Sequence, residues 1–219
     1  MMTGESRIQV RHSLWKSVST PESDVEVLRL RYELVDAAVR LFIEKGYHET
    51  TTRDIAEAAG WTVCTLYDFV KSKSDILSLI CWAIHEEVAA LLSEGARVGE
   101  TRRDFLRRAV GTYFQYCDSR QDAIVLFYQE TTCLSPEARA LVMENEERVT
   151  ANFESYIREG ITEGLFRKTS EKGIQLLAHN ITIQGQMWAF RRWYLRKHFT
   201  LEEYIALQTD MLLRDLKPE

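Results

Sequence analysis

Residues 59–73 read AGWTVCTLYDFVKSK. A break at Gly60 is followed by a second near Ser72, leaving room between them for a helix of only two turns. Thr62 suits the N-cap of a helix from Val63 to about Val70. Ser72, with Asp75 three residues on, has the capping-box pattern that opens the next helix. Working backward, Thr51 with Asp54 repeats that pattern for a helix over about 52–59. There Ile55, Ala56 and Ala59 fall on the buried side and Gly60 ends the run. Ala56 and Ala59 are small enough for two helices to approach closely. Two short helices joined by a tight glycine-bounded turn form a helix-turn-helix. That geometry lays the second helix in a DNA major groove, its first residues nearest the base edges.

The pattern outside this pair is also helical. Leu30, Leu34, Ala38, Leu41 and Phe42 share one face of a helix over about 26–45, stopped at Gly46. Downstream, a helix from about 73 runs past Ile76, Ile80, Ile84, Val88 and Leu91 to a break at Gly95–Gly99. Further helices are expected over 102–118, 121–133, 136–163, 172–196 and 201–215. Ser135-Pro136 gives an N-cap followed by proline at the first helical position, and Thr200 with Glu203 caps the last helix. Prolines occur only at Pro21, Pro136 and Pro218, which leaves long stretches free to be helical. The fold class is all-α, with about nine helices.

Composition bounds the function. The chain has 219 residues, 45% hydrophobic and 28% charged, enough for one core-bearing domain and a small second one. Net charge is −5, and residues 1–80 hold ten basic against twelve acidic side chains. A nucleic-acid partner must therefore be met by a local basic surface, not by bulk charge. The four cysteines are far apart without CxxC spacing, and the five histidines lack a metal-ligand spacing. Neither a disulfide framework nor a metal or other cofactor is expected, and the simplest compartment is a reducing one. The first residues carry no apolar core of signal-peptide length, and no run approaches membrane-spanning length, so the expectation is a cytoplasmic protein with no membrane partner. No GxSxG, GxxxxGK[ST] or GxGxxG motif and no Glu-x-x-His pair occurs, so catalysis is not expected.

From residue 31 to about 77 the chain resembles the DNA-binding domain of the tetracycline-repressor (TetR) family. The pieces that carry the resemblance, in order, are AAVRLFIEKGY, TTRDIAEAAG, TLYDF and KSKSDIL. It implies an arm over residues 1–25, a helix-turn-helix domain over 26–75, and a ligand-binding and dimerisation domain over 76–219. It also implies a homodimer whose two reading heads face successive major grooves of a pseudopalindromic double-stranded operator. Carried over by position, Thr52 and Arg53 start the supporting helix, where phosphate or base contacts are made. Thr62, Val63, Cys64 and Thr65 form the leading edge of the recognition helix, while Tyr67 and Lys73 match residues that hold the DNA backbone. Trp61, Cys64 and Val70 depart from the family pattern. Val63 and Cys64 offer apolar contact, as to a thymine methyl, but few hydrogen bonds. Trp61 reads either as core packing or as a wedge. Arg7, Arg11, His12 and Lys16 make the arm either a frayed tail or a basic reach into the minor groove.

In the resemblance, helices 172–196 and 201–215 pack against their dimer mates, and Leu201, Tyr204, Ile205, Met211, Leu212 and Leu216 give the last one a broad apolar face. HNITIQGQMWAFRRWYLRKHF, residues 179–199, is the least ordinary stretch. Asn180 and Gln184 lie on the same side as Met187, Trp188 and Arg191, and Gly185 permits close approach of a helix or a ligand. Arg191, Arg192, Arg196, Lys197 and His198 either complement a helix C-terminus or, beside Trp188 and Trp193, bind a phosphate. The segment is similar to those in fatty-acid-degradation branches of the family, which respond to acyl-CoA thioesters. An acyl tunnel lined by Trp82, Tyr113, Tyr116, Phe127, Tyr128, Phe153, Tyr156 and Trp188 competes with plain core packing of the same aromatics. Gly111 is a place where such a tunnel gains room. The reading is a ligand-responsive regulator, a repressor by the family's usual mode, released from its operator by a small hydrophobic effector. The alternative is a helical interaction protein of the same fold without sequence-specific DNA binding.

Overall fold

A computed structural model describes residues 21–218, with side chains from Leu28 onward. Most of the expected N-terminal arm, including Arg7, Arg11, His12 and Lys16, lies outside the described residues. Those residues form ten α-helices and no strand: α1 Pro21–Lys45, α2 Thr52–Ala58, α3 Val63–Phe69, α4 Lys73–Leu92 and α5 Arg102–Ser119. After these come α6 Gln121–Glu130, a 3-10 turn Thr131–Cys133, α7 Pro136–Thr162, α8 Glu171–Phe190, α9 Arg192–His198 and α10 Leu201–Asp215. The chain divides into two compact units. One comprises residues up to Ala83 together with Leu126–Arg139, and the other Ile84–Val125 with Ala140–Glu219.

The first unit is built around its caps. Gly46 adopts φ +87 and ends α1. Thr51 and Asp54 exchange both capping-box hydrogen bonds at the start of α2. At its end Gly60, at φ +72, bonds its N–H to the Glu57 carbonyl while Trp61 N–H reaches the Ala56 carbonyl, closing a Schellman turn. Trp61 is half-buried and its ring sits 5.1 Å from that of Phe69, so it packs against α3. Asp75 accepts from the backbone N–H groups of Lys71 and Ser72 at 2.9 and 3.0 Å, opening α4. Leu34, Ala38, Ile55, Ala56, Leu66, Ile76 and Ile80 form the buried interior.

The second unit is a bundle in which α5 packs against both α8 and α10. Its core includes Leu106, Val110, Phe114, Phe153, Ile157, Ala178, Ile181, Trp188 and Leu213. Gly185 of α8 lies close against α5: a Cβ there would lie 2.6 Å from Tyr113 Cε1 and 3.1 Å from Phe114 Cδ1.

Two expected helices are each broken. The single helix over 172–196 is α8 and α9, parted at Arg191 with φ −105 and ψ 21, which raises the count to ten among the described residues. No proline or glycine marks this break. It coincides with long-range pairs that hold α9, Arg192 to Asp122 and Arg196 to Asp118. The expected 121–133 helix turns 3-10 after Glu130, where the Thr131 hydroxyl donates to the Phe127 carbonyl at 2.8 Å. At the other end of the chain, α1 spans Pro21–Lys45, against an expected start near residue 26.

Candidate functional site

The helix-turn-helix pair presents one outward face. Leu66 is fully buried beneath α3 and fixes which side of that helix points away. Thr62, Cys64, Tyr67 and Asp68 are exposed; Val63 and Thr65 are partly so. Thr62 is an N-cap whose hydroxyl accepts from the Thr65 N–H at 3.1 Å and lies 2.8 Å from the Thr65 hydroxyl. Both threonines thus spend hydrogen-bonding capacity on holding the helix start, and Val63 and Cys64 leave that start largely apolar.

The structure brings Thr52 and Tyr67 together, their hydroxyls 3.1 Å apart. This joins the first turn of the supporting helix to the outer face of the recognition helix. Arg53, beside Thr52, is exposed. Lys45 lies 3.6 Å from Asp54 Oδ1, so part of the local positive charge is offset. Hydrogen bonds from Thr51 hold the Asp54 carboxyl below its ordinary range and keep it ionised.

Lys73 does not fit the phosphate role that its position suggests. Its ammonium donates to the carbonyls of Tyr47, His48 and Thr50 at 2.7, 2.9 and 2.9 Å, and it sits 4.6 Å from the Tyr47 ring centroid. All three of its N–H donors are spent inside the unit. Lys73 therefore ties the loop after α1 to the first turn of α4.

The expected effector residues are divided between the two units. Trp82, Phe127 and Tyr128 belong to the first unit. Trp82 lies 5.5 Å from the Arg31 guanidinium, and Phe127 packs edge-on to Tyr128. In the second unit, Tyr113, Tyr116, Phe153 and Trp188 are core residues, at most 6% exposed, with Tyr156 packed against them. The tyrosine hydroxyls donate to backbone carbonyls: Tyr113 to Thr182, Tyr116 to Ile84 and Tyr156 to Leu92. Burial pushes the Tyr116 phenol well above its usual range. Trp188 donates its indole N–H to Asp118 at 2.7 Å. Arg192 is engaged with Asp122, and Arg191 lies 4.9 Å from the Trp193 ring centroid. Only Asn180 and Gln184 line the open groove of about 210 Å³ in this unit, with Leu177 and Ile181 beside them on α8. Gln208, Met211, Leu212 and Asp215 of α10 form its other wall, over Val110 and Phe114. A Cβ at Gly111 would meet the Ile205 Cγ2 methyl at an ordinary 3.5 Å.

A polar group that sequence reasoning missed lies in the interior of this unit. Glu146 of α7 sits 3.1 Å from the His85 ring through one oxygen and accepts from the Gln186 amide at 3.0 Å through the other. His85 and Gln186 are 6% and 5% exposed. The three residues are far apart in sequence and fall on three helices, so no local spacing links them. The only hint was polar side chains on otherwise apolar faces of α4 and α8.

Residues 34–80 match the family described as "Bacterial regulatory proteins, tetR family", and residues 99–216 match "Tetracyclin repressor-like, C-terminal domain". The HTH-type transcriptional regulator HbdR of Aromatoleum sp. (strain CIB) is 32% identical over 193 residues, covering 87% of this chain and 81% of that protein. A solved bacterial regulatory protein in the tetR family from Rhodococcus RHA1 superposes with a TM-score of 0.72 at 25% identity, over 86% of this chain and 97% of that one. AibR, solved in complex with isovaleryl coenzyme A and operator DNA, gives a TM-score of 0.65 at 17% identity, over 83% and 97% of the two chains. No helix among the described residues is long and apolar enough to cross a membrane. The short capped pair α2–α3, the helical bundle that follows and these matches agree: the chain belongs to the tetR family of bacterial transcriptional regulators, with its DNA-binding helix-turn-helix in the first unit.

Proposed function

We propose that this regulator is a repressor that binds a pseudopalindromic operator as a homodimer in the cytoplasm and is released by an acyl-CoA thioester. The observation that carries the DNA half is α3, a two-turn helix anchored by Leu66 with Cys64 and Tyr67 facing outward. Its leading residues Thr62, Val63, Cys64 and Thr65 meet base edges mainly through apolar contact. Thr52, Arg53 and Tyr67 hold phosphates and position the helix. Lys73 acts from behind, by holding the loop and α4 in place.

Dimerisation is supported by apolar side chains left outward on α8 and α10. Leu176 is 60% exposed, Ile183 37%, Leu207 46% and Met211 47%, and Met211 also lines the groove that holds Asn180 and Gln184. A matching face on a second copy would cover them in an isologous contact.

The acyl-CoA reading rests on the arginine–tryptophan segment around Arg191 and Trp193 and on AibR, whose solved complex holds isovaleryl coenzyme A. The guanidinium stacked on an indole is suited to a nucleotide phosphate with a base beside it. The effector acts by preferring a dimer whose reading heads are badly spaced, so operator affinity falls by its differential affinity for that state. A regulator of this kind does no chemistry on its effector. Native mass spectrometry with a series of acyl-CoAs tests the reading. A dimer that takes up acyl-CoA supports it, a dimer that ignores the series removes the effector class, and a monomer removes the two-headed reader.

A further inference from the structure

Three donor side chains meet in the first unit, Glu130 and Cys133 three residues apart in sequence and His48 from a distant loop. His48 lies on the loop between α1 and α2, Glu130 ends α6, and Cys133 closes the 3-10 turn. Glu130 Oε2 is 3.8 Å from His48 Nε2 and 3.5 Å from Cys133 Sγ. All three donor atoms lie within 4.8 Å of one another.

We propose that His48, Glu130 and Cys133 form a zinc site, with an imidazole nitrogen, a carboxylate oxygen and a thiolate sulfur as ligands. Tetrahedral zinc with bonds of about 2.0–2.3 Å sets its ligand atoms roughly 3.4–3.6 Å apart. The edges of 3.8 and 3.5 Å are already within a few tenths of an ångström of that. The third, within 4.8 Å, closes by at most about 1.4 Å, a movement within reach of the exposed His48 side chain. The donor set suits a borderline cation, and three protein ligands leave a fourth position for water. On binding, the Cys133 S–H proton leaves to solvent, the sulfur bonds the metal, and His48 contributes the Nε2 lone pair while keeping its proton on Nδ1. Thiolate and carboxylate together neutralise the dication.

The backbone beneath the ligands is held in place. Lys73 donates to the His48 carbonyl at 2.9 Å, and the Ser74 hydroxyl donates to the Cys133 carbonyl at 2.9 Å. Both arms of the site are therefore pinned to the same first turn of α4. The pattern is a preorganised one, in which the donors need only small side-chain movements. Bound metal would brace the loop that leads into the Thr51 cap of α2.

The test is metal uptake by the full chain after chelator treatment, titrated against a chromophoric competitor. We expect one zinc ion per chain with a Kd below about 1 μM, and a Co(II) form with a thiolate charge-transfer band and intense tetrahedral visible bands. Cys133→Ser should abolish the charge-transfer band and weaken zinc at least tenfold. His48→Gln, at an exposed side chain that folding does not need, should weaken zinc at least tenfold and keep the band. Cys64→Ser should change neither. Absence of uptake, uptake without the thiolate band, or uptake untouched by both ligand variants would overturn the site.

Discussion

The hydroxyls of Thr52 and Tyr67 meet 3.1 Å apart and tie the start of α2 to the outer face of α3. One of the two hydroxyl protons is spent on this contact, and in the proposed DNA complex the other is left to donate to a phosphate. Tyr67→Phe should therefore weaken operator and random-duplex binding about equally, by about 3–10-fold, one neutral hydrogen bond's worth. The slope of affinity against salt should not change, because no cation is lost. Arg53→Ala should lower that slope by about 1. Fluorescence anisotropy at several salt concentrations separates the two.

Lys73 behaves differently. Removing its ammonium leaves three carbonyls without their donor, so Lys73→Met should destabilise the first unit by about 2–3 kcal/mol. The salt slope of DNA binding should stay at the wild-type value wherever the variant is folded. Thermal melting and a salt series together distinguish a brace from a phosphate contact.

Two glycines in the second unit should respond in opposite directions. Gly185→Ala drives a Cβ to 2.6 Å from Tyr113 and should cost about 1–3 kcal/mol despite the better helix propensity. Gly111→Ala meets only the Ile205 methyl at 3.5 Å and should stabilise by up to about 1 kcal/mol. Chemical denaturation of both variants checks the contrast.

Asp118 accepts from the buried Trp188 indole and also from Arg196. Asp118→Ala should destabilise by about 1–3 kcal/mol by leaving the indole N–H unpaired. Tryptophan emission from Trp188 should change with it. Gln121→Ala, which removes only an exposed partner of Arg196, should have little effect.

The parts legible in the sequence were those that local chemistry decides. The caps at Thr51–Asp54, Ser72–Asp75 and Thr200–Glu203 formed where their spacing placed them, and the helix ends followed. What local spacing does not encode was missed. The break at Arg191 carries no helix breaker and coincides with pairs to Asp118 and Asp122, some 70 residues away. Lys73 has a surface-lysine pattern, yet its partners lie on a loop more than twenty residues upstream. Of the aromatics expected to line a tunnel, Tyr113, Tyr116, Phe127, Phe153 and Trp188 are buried in the packed interior, because the periodicity that marks a pocket wall is the same as that of a packed helix face. The His85–Glu146–Gln186 group rests on three separate helices and has no sequence signature.

The most direct measurement is selection of bound sequences from a random duplex pool by the full chain, with the stoichiometry of the selected complex. The account predicts a two-fold symmetric site bound by an even number of chains, and its release when acyl-CoA is added. Enrichment of no symmetric site would contradict it and leave a helical interaction protein of the same fold.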